Sequence, residues 1–426
     1  LSLHDALPIS KDLIIGIDFG KEYSQICYYD RKADEPRSLP VKVGSSQFEM
    51  PTSLCRRLEQ KDYCVGLEAE YFAREKGGFL ISDLYAVSKS RERIIVAEEQ
   101  KEPWELLAYY IRGMMKLLGV ADVEKNIRAL VISMETLDAV QVDNLQKACG
   151  FLGIPKEHCI LQDYEESFYY YVMTQKMETW NRSVGWYSFH DRHVTFRRMV
   201  MNGGNKPVPV MLETPVETDL SENMTQRDAD FYAFVQNTLS KELYSSIQIN
   251  GDGFDQEWAK KSVKLLCYQK RKVFYGNNLF ARGACAAGAE RFITHGLRDY
   301  RYMSRSLVLT SVGMEMRVMG APTYYPLIEA GRNWYESSAD IELILDDTDE
   351  LVFVVEHMRE SERRHIVMKL PGLPQRPNRT TRLSISLRYI SAEECCITVK
   401  DLGFGEMFPA SGKEWKETTR WQEGIA

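Results

Sequence analysis

The hydrophobic pattern of the sequence changes near residue 305, and this change limits the folds that the chain can adopt. Before this point, a continuous apolar run at 13–17 and a strand of buried type at 127–134 alternate with stretches of helical spacing such as 104–118. After it, apolar and polar residues alternate singly, as they do at 383–389. Strands that alternate with helices predict an α/β architecture, whereas a two-residue period with Pro and Gly between the runs predicts antiparallel sheets with one wet face.

Four segments follow from this pattern. We expect an α/β unit at 11–305, an all-β sandwich at 306–412 and a polar tail at 413–426. The first ten residues, LSLHDALPIS, lack the basic start and the long apolar stretch of a signal peptide. We interpret 1–10 as a leader that is foreign to the protein, and a short disordered terminus is the alternative.

Charge and cysteine content restrict the class of protein and its partners. The 426 residues carry a net charge of −7, so no global basic field would attract nucleic acid or an anionic membrane surface. No apolar run approaches the ~20 residues of a membrane-spanning helix. The cysteines are odd in number and include no CxxC pair, which favours reduced thiols over disulfides or a zinc site. We therefore expect a cytoplasmic protein that binds neither nucleic acid nor membranes.

Residues 15–20, Ile-Gly-Ile-Asp-Phe-Gly, end the first apolar run in a carboxylate and a glycine turn. A carboxylate at the end of a strand suits a hydrated divalent cation next to phosphate groups. The backbone amides of the turn can approach phosphate oxygens because Gly20 has no side chain. A strand followed by D-x-G also forms an ordinary turn. The motif therefore makes Asp18 and Gly20 candidates for a phosphate and metal site, with a plain turn as the alternative.

The order of such motifs along the chain resembles that of the actin-like ATPase superfamily, and within it the heat-shock protein 70 chaperones. The resemblance extends over about 13–405 and rests on the shared order and spacing of short motifs. In the α/β unit these motifs are the first phosphate loop at 15–20, the first connecting segment at 130–134 and 148–154, the glutamate-bearing loop at 163–167, a degenerate adenosine-binding glycine loop at 249–253 and the closing small-residue helix at 281–287. In the all-β unit they are the segments 325–332, 370–377 and 383–389.

The resemblance implies a two-lobed, ribonuclease H-like α/β domain of the actin-like ATPase type, followed by a β-sandwich domain that binds protein segments. It also implies ATP or ADP with Mg²⁺ as the cofactor. The residues that it assigns are Asp18 for the metal, Phe19, Gly20 and Lys21 for the phosphates, Lys89 for charge neutralisation, Glu165 or Glu166 for orienting the attacking water, and Gly251, Asp252 and Gly253 for adenosine. The residues themselves leave two alternatives open, because acids are common in the first turn of a helix and glycines also make plain turns.

Two departures from the family pattern weaken the expected activity. The second phosphate loop of the family is rich in glycine, whereas the matching stretch 187–193, Tyr-Ser-Phe-His-Asp-Arg-His, has none. Side chains there would obstruct the approach of the backbone to a phosphate. In the first loop, Lys21 can pair with phosphate, but Glu22 would repel it unless a metal intervenes. We therefore expect hydrolysis to be weak or absent.

Three functions are consistent with the sequence. The leading hypothesis is a chaperone-like protein that couples nucleotide in the interlobe cleft to protein or peptide clients held by strand pairing on the β-sandwich. The sequence after the sandwich lacks the helical lid of typical family members. The alternative is a non-enzymatic pseudo-ATPase scaffold on the same fold. An actin-like filament former is the third hypothesis, and it is disfavoured because the all-β unit is not an insertion in the lobes.

Overall fold

A computed structural model describes residues 12–420 except 42–44, 46, 205, 240–241, 269–270 and 359–362. The chain divides into two compact units, Leu1–Met303 and Ser304–Ala426. The leader expected at 1–10 lies outside the described residues. None of the helices in the described ranges combines the length and the apolar character needed to cross a bilayer.

The first unit contains eighteen strands and eight helices within the described ranges. The strands are β1 (Leu13–Phe19), β2 (Tyr23–Asp30), β3 (Glu35–Ser38), β4 (Met50–Pro51), β5 (Leu54–Arg57), β6 (Asp62–Val65), β7 (Phe79–Ile81), β8 (Ile94–Val96), β9 (Glu99–Lys101), β10 (Ile127–Met134), β11 (Cys159–Asp163), β12 (Ser183–His190), β13 (His193–Met201), β14 (Val208–Leu212), β15 (Val216–Asp219), β16 (Tyr244–Gly251), β17 (Lys272–Tyr275) and β18 (Tyr300–Tyr302). The helices are α1 (Gly66–Glu75), α2 (Leu84–Ser88), α3 (Pro103–Lys116), α4 (Ala139–Phe151), α5 (Tyr164–Met173), α6 (Met224–Leu239), α7 (Lys260–Leu266) and α8 (Leu279–Ala289).

The first lobe is built on a sheet with the strand order β3-β2-β1-β10-β11, and β4 pairs with β2. The strands β1, β2 and β3 form an antiparallel meander, whereas β10 runs parallel to β1 and β11 runs parallel to β10. The central strand is therefore β1, and six of its seven residues are buried. Burial on both faces explains why its sequence is almost continuously apolar.

The second lobe repeats this strand order. Its sheet runs β14-β13-β12-β16-β17, with an antiparallel meander of β12, β13 and β14 followed by the parallel strands β16 and β17. Two short strands extend it, because β15 pairs with β13 and β18 runs parallel to β14. The same arrangement of five strands thus occurs twice within the first unit.

Helices α5 and α8 link the two sheets. α8 packs on β1, β2 and β10, and it crosses α5 so closely that a Cβ added to Gly283 would lie 2.0 Å from the carbonyl oxygen of Ser167. α5 reaches the second sheet through Phe168, whose ring stacks on Trp186 with 4.5 Å between the centroids. The small residues of α8 are therefore required for this crossing, since a larger side chain at Gly283 would separate the helices.

The second unit consists of two four-stranded antiparallel sheets. Its strands are β19 (Thr310–Val318), β20 (Ala321–Ile328), β21 (Ser338–Ile344), β22 (Glu350–His357), β23 (Arg363–Lys369), β24 (Arg382–Tyr389), β25 (Glu394–Gly403) and β26 (Glu414–Arg420). The sheets have the orders β20-β19-β22-β23 and β21-β24-β25-β26. Along β24, the buried side chains are the apolar ones and the polar side chains between them are more exposed. This is the two-residue period of the sequence.

The segment 413–426 is not a separate polar tail in its described part. Residues 414–420 form β26, which pairs with β25 along its whole length. Trp415 is buried there, and its indole N–H donates a hydrogen bond to the carbonyl oxygen of Pro371 over 3.0 Å. The polar composition was misleading because β26 is an edge strand, and charged side chains on such a strand discourage pairing with other chains.

Candidate functional site

Asp18 is positioned by the end of β1, beside the ends of two parallel strands. In the register of the sheet it lies next to Ser133 of β10, which in turn lies next to Gln162 of β11. The carboxyl group is buried, and the Tyr164 hydroxyl donates a hydrogen bond to its Oδ1 over 2.6 Å. Burial raises the pKa of Asp18 to about 7, the bond from Tyr164 opposes this rise and the nearby Glu49 carboxylate adds to it. Near pH 7 the carboxyl is protonated in about half of the molecules, so a divalent cation that bound there would have to displace that proton.

Tyr164, the first residue of α5, fills the space beside the turn that follows β1. Its ring stacks on that of Phe280, with 3.7 Å between the centroids. Its hydroxyl oxygen lies 3.4 Å from the position that a Cβ on Gly20 would occupy. The pKa of Tyr164 lies well above its usual range because the phenol is buried and adjacent to Asp18. The hydroxyl therefore stays protonated and acts as the donor in its hydrogen bond to Asp18. The space beside Gly20 is thus closed mainly by the carbonyl oxygen of Tyr23, 2.3 Å from that Cβ position, with the Tyr164 hydroxyl in contact next to it.

Phe19, which the resemblance assigned to the phosphates, belongs to the core. Its side chain is only 2% exposed and contacts Tyr85 and Tyr110, with ring centroids 6.2 and 5.7 Å away. Successive side chains of a strand point to opposite faces of the sheet, so Phe19 faces away from Asp18. Its contribution is to packing.

Lys21 and Lys89 both lie close to one aromatic ring. Their ammonium groups lie 5.7 and 5.0 Å from the centre of the Tyr85 ring, within the range of cation–π attraction. Lys21 also pairs with Glu135 over 3.2 Å, and the hydrogen bond to this carboxylate raises the pKa of Lys21. We call Lys21, Lys89, Tyr85 and Glu135 the lysine cluster. It holds two positive charges against one negative charge beside the turn after β1.

Glu165 is directed to the second sheet rather than to Asp18. Its carboxylate accepts a hydrogen bond from the Arg197 guanidinium of β13 and one from the Tyr302 hydroxyl over 3.4 Å. The backbone N–H of Glu166 donates to the Asp163 carboxylate over 2.7 Å, which caps the start of α5. The geometry therefore corresponds to the helix-start alternative for this acidic pair, because it does not bring Glu165 to the expected phosphate site.

The contacts of Glu165 predict an effect on stability. We expect Glu165→Gln to lower the free energy of unfolding by about 1–2 kcal/mol, because the half-buried Arg197 loses its charged partner. Urea unfolding would measure this change. Glu222→Gln is the matched control, because Glu222 is paired with Arg192 but 82% exposed, and we expect no measurable change for it. Equal unfolding midpoints for Glu165→Gln and the wild type would contradict a structural role.

The loop of Gly251, Asp252 and Gly253 holds another part of the protein. Gly251 has a φ of +105°, and a Cβ there would lie 1.9 Å from the carbonyl oxygen of Phe189. A Cβ on Gly253 would lie 1.6 Å from the carbonyl oxygen of Asp191. The Asp252 carboxylate accepts a hydrogen bond from the backbone N–H of Asp191 over 2.9 Å. The backbone at the end of β12 and in the turn that follows it therefore packs against these glycines. The resemblance places adenosine at this position.

That turn stands at the position of the second phosphate loop, and its polar groups already have partners. The Asp191 N–H is bound by Asp252, as described. The Arg192 guanidinium lies 3.6 Å from the Asp191 carboxylate and 3.3 Å from that of Glu222. A phosphate group would have to compete with carboxylates for both the amide and the cation.

The residues at this site do not fit a magnesium-bound ATP or ADP. The Asp18 carboxyl carries a proton in about half of the molecules at neutral pH, and the spaces beside the glycines are occupied by the chain itself. The described residues include no group of three or more His, Cys, Asp or Glu side chains arranged for a metal ion. No step of nucleotide hydrolysis can be derived from this arrangement.

Sequence reasoning missed three residues of the site, namely Tyr85, Glu135 and Tyr164. Glu135 had a usable signal, because it directly follows β10 and the carboxyl ends of adjacent parallel strands share one edge of the sheet. Tyr85 and Tyr164 had none. Their contacts with Lys21, Lys89 and Asp18 depend on where α2 and α5 pack.

Comparison with known proteins gives family membership without a function. No curated protein matches the chain. A domain of unknown function (DUF8552) matches residues 307–421, in the second unit. The C-terminal part of a family of unknown function (DUF5716) matches residues 35–305, which is more than half of the chain. The chain therefore belongs to the DUF5716 family.

Proposed function

We propose that the chain is a pseudo-ATPase scaffold, a non-enzymatic relative of the actin-like, heat-shock 70-type proteins whose second unit binds extended segments of other proteins. The proposal rests on the spaces beside three glycines, where the resemblance places a nucleotide. Atoms of the chain itself occupy these spaces. The three glycines are Gly20, Gly251 and Gly253. A nucleotide would have to displace packed protein before it could bind in the expected way.

The repeated sheet order supports the actin-like part of the proposal. Both lobes place an antiparallel meander of three strands before two parallel strands, with the first strand in the centre. The helices α5 and α8 cross between them at Gly283. The resemblance implies two lobes, and the repeated strand order supports that part of the proposal. Cytoplasmic location remains part of the same proposal.

An open sheet edge supports protein binding by the second unit. β20 carries two prolines, Pro322 and Pro326, which lack an N–H and discourage the addition of a strand. β23 has none. Its Val367 is 47% exposed and lies opposite Val352 of β22, which is 38% exposed. An extended segment that paired with β23 would satisfy the backbone groups of the edge and place its side chains beside Val367, which would extend the apolar row that Val367 forms with Val352.

The lysine cluster favours a second candidate, weak nucleotide binding. Lys21 and Lys89 lie near one tyrosine ring beside the turn after β1, and Glu135 is the carboxylate that pairs with Lys21. Phosphate groups could bind these ammonium groups at the surface, without entering the notch at Gly20. Such binding would position no water for hydrolysis.

Calorimetric titration with ATP and with ADP, each with Mg²⁺, separates the two candidates. For the scaffold we expect no heat of binding up to about 1 mM nucleotide. Binding that disappears in a Lys21→Ala/Lys89→Ala variant, but persists when the exposed Lys147 of α4 is replaced by alanine, would overturn the scaffold in favour of the second candidate.

The proposed binding of extended protein segments at β23 has its own test. A fluorescein-labelled, permanently unfolded polypeptide should bind the full chain with equal affinity in the presence and absence of ATP. Replacing both Val352 and Val367 by lysine should weaken this binding about tenfold or more, since the apolar row is lost. The control is Val216→Lys, an equally exposed valine of the first unit. No binding by the wild type, or no effect of the double replacement, would contradict strand pairing at β23.

A further inference from the structure

Two cysteines of the first lobe have their sulfur atoms in contact. The Sγ atoms of Cys149 and Cys159 are 2.8 Å apart, and the Cys159 thiol donates a hydrogen bond to the Cys149 sulfur. Both residues are free thiols. An S–S bond is about 2.0 Å long, so the two sulfurs would have to approach each other by less than about 1 Å to form one. Their separation is therefore no obstacle to a disulfide.

The fold brings this pair together at the edge of the first sheet. Cys149 lies near the end of α4, and Cys159 is the first residue of β11, which is the edge strand. Between them the chain turns at Gly153, which has a φ of +75°, and the N–H of Ile154 donates a hydrogen bond to the carbonyl oxygen of Cys149 over 3.0 Å. This turn returns the chain to the sheet. The two thiols thus meet although they are 10 residues apart and form no CxxC motif.

The two thiols differ in burial and in the ease with which they lose a proton. Cys149 is only 1% exposed, whereas Cys159 is half-buried. The hydrogen bond from Cys159, together with burial, raises the pKa of the Cys149 thiol well above its usual range. A small oxidant would therefore reach Cys159 first. Modification of Cys159 removes its S–H donor, and with it the first cause of the raised Cys149 pKa.

Two other pairs of cysteines in the first unit are in contact, but neither is open to solvent. Cys27 and Cys285 are hydrogen-bonded to each other, and both are fully buried. Cys55 and Cys64 lie directly opposite each other on β5 and β6, and they are 0% and 4% exposed. These four residues are close in space without being accessible. They are internal controls for a reaction that needs both properties.

We propose that Cys149 and Cys159 form a reversible disulfide by exchange with a low-molecular-weight disulfide such as oxidised glutathione. The Cys159 thiolate attacks one sulfur of the oxidant, forms a mixed disulfide and releases one glutathione. The Cys149 thiolate then attacks the Cys159 sulfur, forms the bond between the two residues and releases the second glutathione. The two cysteines lose two electrons and two protons, and oxidised glutathione gains them as it becomes two thiols.

The bond would tie the end of α4 to the edge strand of the first sheet. β11 leads directly into α5, whose first residue, Tyr164, binds Asp18. Oxidation would thus restrain the strand that precedes the site at the end of β1 without altering a residue of that site. Disulfides of cytosolic proteins are mostly transient and redox-sensing, which is the role that such a pair suits.

Peptide mapping of the full chain tests the proposal. Trypsin cleaves after Lys156, which lies between the two cysteines, so that Cys149 falls in 148–156 and Cys159 in 157–176. The chain is incubated with oxidised glutathione, its remaining thiols are blocked in urea, and it is digested without reductant. We expect the two peptides to be joined by a disulfide and to separate after treatment with dithiothreitol. Free thiols at both positions would overturn the proposal.

The other cysteines show whether the reaction is selective. The exposed Cys267 should carry glutathione, which establishes that the oxidant was active. The four buried cysteines of the other two pairs should stay reduced. If these pairs were linked to the same extent as Cys149 and Cys159, accessibility would not govern the reaction and the proposal would fail.

The variant Cys149→Ser removes the thiol that completes the exchange. We expect glutathione to remain on Cys159 at least about tenfold longer in this variant than in the wild type, because attack by a neighbouring thiol within the chain is lost. Cys267→Ser is the control, because it removes an exposed thiol that belongs to no pair, and it should form the linked peptides as the wild type does. Equal lifetimes of the Cys159 adduct in Cys149→Ser and the wild type would also overturn the proposal.

Discussion

Replacing Asp18 with asparagine is expected to stabilise the protein, by an amount that grows as the pH rises. The carboxyl group has a pKa of about 7 in the folded protein and an ordinary value of 3.8 when exposed. Between these values the folded protein holds a proton that the unfolded chain has released, so the contribution of Asp18 to stability falls from about pH 4 to about pH 7. Each unit of pKa difference corresponds to about 1.4 kcal/mol. Above about pH 7, the Asp18 carboxyl therefore lowers the free energy of unfolding by about 4 kcal/mol. Asparagine removes the charge, and its side-chain oxygen can still accept the hydrogen bond from Tyr164.

Urea unfolding of the two proteins at about pH 5 and about pH 8 measures this effect. The difference in free energy of unfolding between Asp18→Asn and the wild type should increase by about 2–3 kcal/mol from the lower to the higher pH. Asp143→Asn is the control, because Asp143 is an exposed carboxylate of α4 paired with Lys147, and its replacement should have little effect at either pH. If Asp18→Asn were less stable than the wild type at both values, Asp18 would be a charged group with an unrecognised partner.

The central strand and the carboxylate at its end were predictable from the sequence for one physical reason. A strand buried on both faces must be apolar throughout, so the run at 13–17 identified β1, and the first charged residue after it had to lie at the end of the strand. The change of period near residue 305 likewise located a boundary close to the division between Met303 and Ser304. Both inferences depend only on local burial.

The surroundings of Asp18 were not predictable, because they are formed by side chains from distant parts of the chain. Tyr164 reaches Asp18 across 146 residues of sequence, and Glu165, its neighbour, is directed to Arg197 instead. The rotation of α5 decides which of the two faces Asp18. That rotation is set by the packing of Phe168 on Trp186 and by the crossing at Gly283, which no local pattern encodes.

Glycines are ambiguous for a related reason. Gly251 and Gly253 indicate that something approaches the backbone closely, but the sequence does not say whether that is a ligand or the chain itself. Here it is the backbone of Phe189 and Asp191. The two glycines therefore indicate a close backbone approach between β16 and α7 while leaving its use open.

Replacing Arg376 with methionine is expected to lower the free energy of unfolding of the second unit by about 3–5 kcal/mol at neutral pH. Two nitrogens of the Arg376 guanidinium donate to the two oxygens of the Asp401 carboxylate, each over 2.8 Å, and the two side chains are 6% and 0% exposed. The backbone N–H groups of Gly403 and Ser411 complete the shell of Asp401. The pKa of Asp401 lies well below its usual range, chiefly because of its bond with Arg376. The pair therefore stabilises the folded protein above about pH 4, and this stabilisation is lost as the pH falls further.

The large effect follows because methionine leaves a buried carboxylate with no counter-charge, and two comparisons isolate this cause. Replacing Asp401 by asparagine in the same chain should restore part of the loss, since no charge then remains. Arg379→Met is the matched control, because Arg379 binds Asp346 through two nitrogens in the same way, but the two side chains are 64% and 35% exposed. The loss of this pair should hardly move the transition. Urea unfolding followed by tryptophan fluorescence reports on the second unit through Trp334 and the buried Trp415. A similar effect for Arg376→Met and Arg379→Met would mean that burial does not distinguish the two pairs.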